Sequence, residues 1–149
     1  MMVAAGLWLF FNPVADAKPG ALFSPGNAEI VALGASIYAA NCASCHGANL
    51  EGQADWKSRD ENGMMPAPPH DESGHTWHHT DKLLFELTKF GLAKTANLEN
   101  FQTYMPVYEN LLTDEEIIAV LSYIKSTWPE EIRLRHDQMN AQAAEAEGG

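Results

Sequence analysis

Cys42-Ala43-Ser44-Cys45-His46 is the segment of this chain best equipped for chemistry. Two thiols three positions apart, followed at once by an imidazole, form the spacing that tethers haem c covalently. The two porphyrin vinyl groups would be captured as thioethers by Cys42 and Cys45, which puts His46 beneath the iron as its proximal ligand. These are the only two cysteines in the chain. A Cys-x-x-Cys pair also occurs in zinc sites and thioredoxin-like redox centres. Zinc usually takes four Cys and His ligands, and no second cysteine pair exists here, although His70, His75, His78 and His79 are available. A thioredoxin-type centre follows a strand within a βαβ pattern, and no such alternation surrounds Cys42.

A second axial ligand should come from far along the chain, so that the polypeptide wraps the cofactor. Met105, in Tyr104-Met105-Pro106-Val107-Tyr108, meets that demand. Pro106 fixes φ and removes a backbone donor, which stiffens a loop that presents sulfur. An isolated methionine is ordinarily core filler, but this one lies just ahead of an amphipathic helix. Met64 and Met65, also followed by a proline, are rival ligands that lie too near the attachment site to reach the opposite haem face easily.

The elements that must position these groups are helical. Asn27 can cap a first helix whose apolar stripe is Ile30, Leu33, Gly34, Ile37 and Tyr38, and that helix delivers Cys42 at its end. Thr80 and Asp81 open a second helix carrying Leu83, Leu84, Leu87 and Phe90, with Gly91 placed to stop it. Thr113-Asp114-Glu115-Glu116 reads as a capping box, and the helix it starts sets Ile117, Val120, Leu121 and Ile124 on one face. No run alternates long enough to argue for a sheet.

The haem motif after an N-terminal helix, the late Met-Pro pair and the final Ser122-Tyr123-Ile124-Lys125 together resemble a class I c-type cytochrome of the bacterial monohaem kind. The resemblance covers about residues 27–128. It implies an all-α cytochrome c fold, with N- and C-terminal helices crossing around one covalently bound haem c and a long loop covering it. It also implies His46 and Met105 as axial ligands, and single-electron shuttling rather than enzymatic turnover. In the family a small residue of the first helix lets the last one approach, and Gly34 with Tyr123 matches that arrangement. A family proline carbonyl also accepts the Nδ1 proton of the proximal histidine. Pro68 in Ala67-Pro68-Pro69 is the candidate here, with Pro66 as runner-up, because the segment after His46 is longer than in compact members.

Residues 47–79 lack helical periodicity, and a loop of that length needs something to organise it. Haem offers the apolar surface such a loop otherwise lacks. Within it, Gly74-His75-Thr76-Trp77-His78-His79 has three readings: Trp77 covers the haem while the histidines cap a helix or meet solvent; His78 donates to a haem propionate; or the histidines bind a second metal such as copper. Trp56 and Arg59 are further propionate donors to consider.

Residues 1–17 read as a signal peptide or the remnant of a membrane anchor. Met1 to Phe11 is nearly all apolar, yet as a helix it would span only roughly 16 Å, about half a bilayer's hydrocarbon core. Ala15-Asp16-Ala17 resembles a cleavage site. Residues 18–26 then form a linker, 27–128 the cytochrome c domain, and 129–149 a polar extension. That extension is expected to be helical from Glu130 to about Met139, burying Ile132 and Leu134, with a flexible tail beyond and no chemistry of its own.

Haem attachment of this type occurs on exported chains, so the expected location is the periplasm, soluble or held at the inner membrane by the N-terminal segment. The net charge of −11 over 149 residues excludes nucleic acid as a natural partner. Redox proteins with basic docking surfaces suit it better, and any membrane contact would come only through the N-terminal segment. Two other functions stay open: a haem subunit of a respiratory dehydrogenase or oxidase complex, and a copper-handling protein using the histidine-rich loop.

Overall fold

The computed structural model describes residues 18–149, so the expected leader at residues 1–17 lies outside the described residues. All regular structure among the described residues is helical: α1 (Ala28–Asn41), α2 (Ala43–His46), a 3-10 turn (Thr76–His78), α3 (Asp81–Phe90), α4 (Leu92–Thr95), α5 (Asp114–Ser126) and α6 (Glu130–Gly148). Asn27 caps α1 through its side chain, which accepts from the Glu29 and Ile30 amides. Thr80 caps α3, and Gly91, at φ 82°, ends it in a conformation that L side chains rarely adopt. Both halves of the Thr113/Glu116 capping box are made at the start of α5.

The core forms where α1 crosses α5. Ile37 and Tyr38 meet a face of Ile117, Val120, Leu121 and Ile124, and Leu84, Tyr108, Trp128 and Ile132 extend it. Gly34 permits this approach, because a Cβ there would collide with the Ala119 carbonyl and the Tyr123 side chain. The Tyr38 and Tyr123 rings then pack 5.5 Å apart and tilted by 54°. The α1 stripe is narrower than its periodicity suggests: Leu33 is exposed, because close contact at Gly34 rotates the helix toward its Gly34–Ile37–Tyr38 edge. In α3 only Leu84 of the apolar set is fully buried, alongside Asp81.

The largest departure from expectation is α6, which continues to Gly148 instead of ending near Met139. Ile132 is buried as expected, but Leu134 is exposed, and polar residues provide the rest of the buried face: His136 and Asn140. The Asn140 side chain accepts from the Asp81 amide at 2.8 Å and donates to the Asp81 carboxylate at 2.9 Å. The other Asp81 oxygen receives the Leu22 and Phe23 amides, at 2.8 and 3.0 Å, which fastens the N-terminal arm. Lys125, almost wholly buried in α5, pairs with Asp137 at 2.8 Å and lies 3.5 Å from Asp81. His136 Nε2 lies 2.7 Å from the His79 carbonyl, which can only accept, so this nitrogen carries the proton. Satisfied in this way, buried charges and amides define one geometry for arm, α3, α5 and α6.

Two predictions test this packing. Gly34→Ala should lower the denaturation midpoint of the haem-loaded protein by about 1–3 kcal/mol of stability, because overpacking outweighs the roughly 1 kcal/mol of helix propensity gained. A stabilised variant would mean that the crossing does not need glycine. The second concerns pH. Burial, then the Lys125 ammonium, push the His136 imidazole below its ordinary value, against the His79 carbonyl and the Asp81 and Asp137 carboxylates that also face it. The unfolded chain therefore binds this proton more readily than the folded one. The contribution is complete above about pH 6.5 and is lost as pH falls toward the lower folded value. Urea midpoints measured between about pH 7.5 and about pH 5.5 should fall, and His136→Gln should flatten that slope.

Candidate functional site

Cys42 ends α1 and starts α2, so both thiols and His46 ride on a single turn of helix welded to the core. The Tyr38 hydroxyl donates to the Gly47 carbonyl at 2.8 Å, which locks the end of that turn back onto α1. The Tyr108 hydroxyl donates to the Asn41 carbonyl at 2.9 Å, which ties the chain just after Met105 to the residue before Cys42. Burial pushes both phenols above the ordinary tyrosine range, so they remain donors at any physiological pH. Neither contact is visible in spacing, since each joins a tyrosine to a backbone oxygen elsewhere.

No disulfide joins the two cysteines; Cys42 is half-buried and Cys45 exposed. Burial, with Cys45 beside it, pushes the Cys42 thiol up to about 11. Disulfide exchange and metal binding use thiolates made accessible at low pKa, the opposite environment. No group of three or more His, Cys, Asp or Glu among the described residues is placed to hold a metal ion. Zinc held by Cys42 and Cys45 would therefore find no further protein ligands gathered around it among the described residues.

His46 is buried, and its Nδ1 lies 2.8 Å from the Pro68 carbonyl. Because that oxygen can only accept, Nδ1 carries the proton and Nε2 keeps its lone pair for a ligand. Burial lowers the imidazole below its usual value, and the Pro68 bond opposes this without reversing it. A neutral ring with a fixed tautomer is the form that coordinates iron.

The long loop is organised so that Pro68 arrives at this point. Gly52 N donates to His46 O at 2.7 Å, Gln53 N to Ala67 O at 2.8 Å and His70 N to Leu50 O at 2.8 Å, so residues 50–53 run beside 67–70. Gly52 is at φ 69°, and a Cβ there would strike the Pro68–Pro69 backbone. His70 completes the surroundings of the proximal ring: it stacks on His46 at 4.0 Å and 24°, with its Nδ1 2.8 Å from Thr76 Oγ1. Burial, with His46 and His75 adding to it, holds His70 well below the usual imidazole range and therefore neutral. Sequence reasoning named His70 only as a spare zinc ligand and not as a neighbour of the His46 ring. Its position two residues after Pro68 was the available signal.

The other residues singled out from sequence are spread over the long loop and the segment ahead of α5. Trp77 packs against the core, donates from Nε1 to the Glu72 carbonyl at 3.3 Å, and stacks on an exposed His78 at 3.8 Å. His75 stacks on Trp56 and meets His79 edge-on, so the histidine loop is an aromatic cluster. Arg59 donates to the Gly63 carbonyl at 2.7 Å within its own loop. Met105 is exposed in the loop between α4 and α5. Of the two rival methionines, Met65 is exposed and Met64 partly buried.

Glycine at position 52 offers a test of how Pro68 is held. Gly63 also has positive φ, at 78°, but open space where a Cβ would go. Gly52→Ala should therefore cost about 1–3 kcal/mol more than Gly63→Ala in denaturant titrations, since both pay backbone strain and only the first meets a wall. Equal costs would show that the approach to Pro68 is loose.

No curated protein and no solved structure matches this chain. The family model described as Cytochrome c matches residues 31–128, a span holding both thiols, His46, Pro68, Met105 and most of the α1–α5 crossing. The chain belongs to the cytochrome c family, and its domain is a haem-based electron carrier that binds haem c covalently.

Proposed function

We propose that the protein is a periplasmic single-electron carrier, with one haem c fastened through Cys42 and Cys45 and held axially by His46 and Met105. When bound, the haem supplies the one-electron iron couple. The observation that carries this reading is the His46 imidazole, whose Nδ1 is committed to the Pro68 carbonyl so that only Nε2 is free to coordinate. Stacked His70 keeps the ring from swinging. Met105 suits the second position because Tyr108, three residues later, anchors its loop at the doorstep of Cys42.

Held by His46 and Met105, both neutral donors, the iron would keep no position for a substrate and would favour its reduced state, hence a comparatively high potential. Electron exchange with another protein is the work that remains, so the protein is not an enzyme in its own right. Haem attachment of this type is made on exported chains, and cytochrome c domains are typically extracytoplasmic. No helix among the described residues is long and apolar enough to cross a membrane. With a net charge of −11, redox proteins bearing basic surfaces are the matching partners, through weak, short-lived docking.

Optical spectra of matured wild type and Met105→Ala test the ligand assignment. Wild type should be six-coordinate and low-spin, with a methionine–iron charge-transfer band. The variant should lose that band and gain a water-bound or open position. An unchanged spectrum would assign the sixth ligand elsewhere.

A further inference from the structure

Residues 54–66 form a closed loop. Its base is sealed by Gln53 N to Ala67 O at 2.8 Å and by Ala67 N to the Gln53 side-chain oxygen at 2.7 Å. Its tip is knitted around one carboxylate: Asp60 Oδ1 accepts from the Asn62 and Met64 amides, at 2.9 and 2.8 Å, and Asp60 N donates to Met64 O at 2.8 Å. The second carboxylate oxygen faces away from the tip and accepts the Tyr104 hydroxyl at 3.0 Å. Asn62 Nδ2 donates to the same hydroxyl at 3.1 Å, so the tip engages both the proton and a lone pair of one phenol.

Tyr104 immediately precedes Met105. Among the described residues, the hydrogen bonds of Tyr104 are the only ones linking residues 99–107 to any residue outside that segment. Packing holds the segment little, with Tyr104 52%, Met105 41% and Val107 50% exposed. The nearest fixed points are the Leu98 amide, bonded to Ala93 O, and Tyr108. Between them, the Met105 backbone is steadied locally by Thr103 and at long range by Tyr104 alone.

We infer that Tyr104 is a positioning residue for Met105, and that the loop tip at Asp60 and Asn62 is a latch holding the sulfur-bearing segment in register with the side of the site where Pro68 orients His46. The inference rests on the reading of Met105 as the axial ligand. The same loop supports both ligands: its base carries Pro68 and its tip holds Tyr104. Asp60 suits the role, because the Met64 amide, with Tyr104 and Asn62 adding to it, holds its carboxyl below the usual range and therefore ionised at neutral pH.

The latch predicts how readily the sulfur leaves. Imidazole added to the oxidised, haem-loaded protein can bind only once the methionine has let go, so its limiting binding rate reports loop opening. Tyr104→Phe removes only the hydroxyl and should raise that rate about three- to tenfold, as expected when two exposed hydrogen bonds that water can partly replace are lost. The thermal midpoint should shift little, and the charge-transfer band of the resting protein should persist. Asp60→Ala should act in the same direction, and the double variant should open no faster than the quicker single one. Rates within twofold of wild type in both single variants, or full additivity in the double, would overturn the latch. Met105→Ala separates the two levels: an unchanged optical spectrum would remove the ligand reading itself, whereas a changed spectrum with unaltered Tyr104→Phe kinetics would remove only the latch.

Discussion

The hydrogen bond between His46 Nδ1 and the Pro68 carbonyl joins positions 22 residues apart, and most of the molecule's organisation exists to make it. On one side, α1 delivers Cys42 and His46 as an extension of the core, fixed by the α1–α5 crossing at Gly34 and by the Tyr38 hydroxyl. On the other, a loop without regular structure is folded back so that Gly52 lies against the proline pair, where any larger residue would hold it off. The bond chooses the tautomer, and with it the nitrogen that faces a metal. Moving the proton to Nε2 would leave a half-buried carbonyl unpaired and the ligand position blocked, an error costing on the order of 1 kcal/mol before any chemistry is considered.

How much of this could be read from residues alone depended on whether the cause was local. Helix starts were legible, because Asn27, Thr80 and Thr113 cap with their own side chains a few residues away. The thiol and imidazole spacing was legible for the same reason. Pro68 could be named only through family resemblance, since nothing within its own segment shows which proline meets His46. Tyr38, Tyr108 and Tyr104 were invisible as tethers, because each donates to a partner that only the folded chain brings near. Leu33 and Leu134 look like core in a periodic pattern, yet neighbouring close contacts and polar burial turned them outward.

The C-terminal helix shows most clearly where pattern reading stops. A polar, glutamate-rich stretch reads as an extension that packs back on the domain or meets a partner through Ile132 and Leu134, and its sequence holds few other apolar residues to bury. Its docking is polar instead: Asn140 and His136 supply partners for Asp81 and the His79 carbonyl, and Asp137 for Lys125. The matched family segment ends at residue 128, so this network joins the shared domain to the helix beyond it. Without α6, Asp81 and Lys125 would be left with fewer partners for their charges. Removing one member of such a buried set typically costs about 3–5 kcal/mol, so the helix is part of the folding unit.

That arrangement brings the two ends of the described chain side by side. Lys18 pairs with Asp137 at 2.6 Å, Gly20 lies against Asn140 and Ala144, and Lys82 reaches Glu147 at 2.8 Å. Residues 18–23 are therefore held twice, by the Lys18–Asp137 pair on α6 and by the Leu22 and Phe23 amides on Asp81, so the arm and the last helix should loosen together.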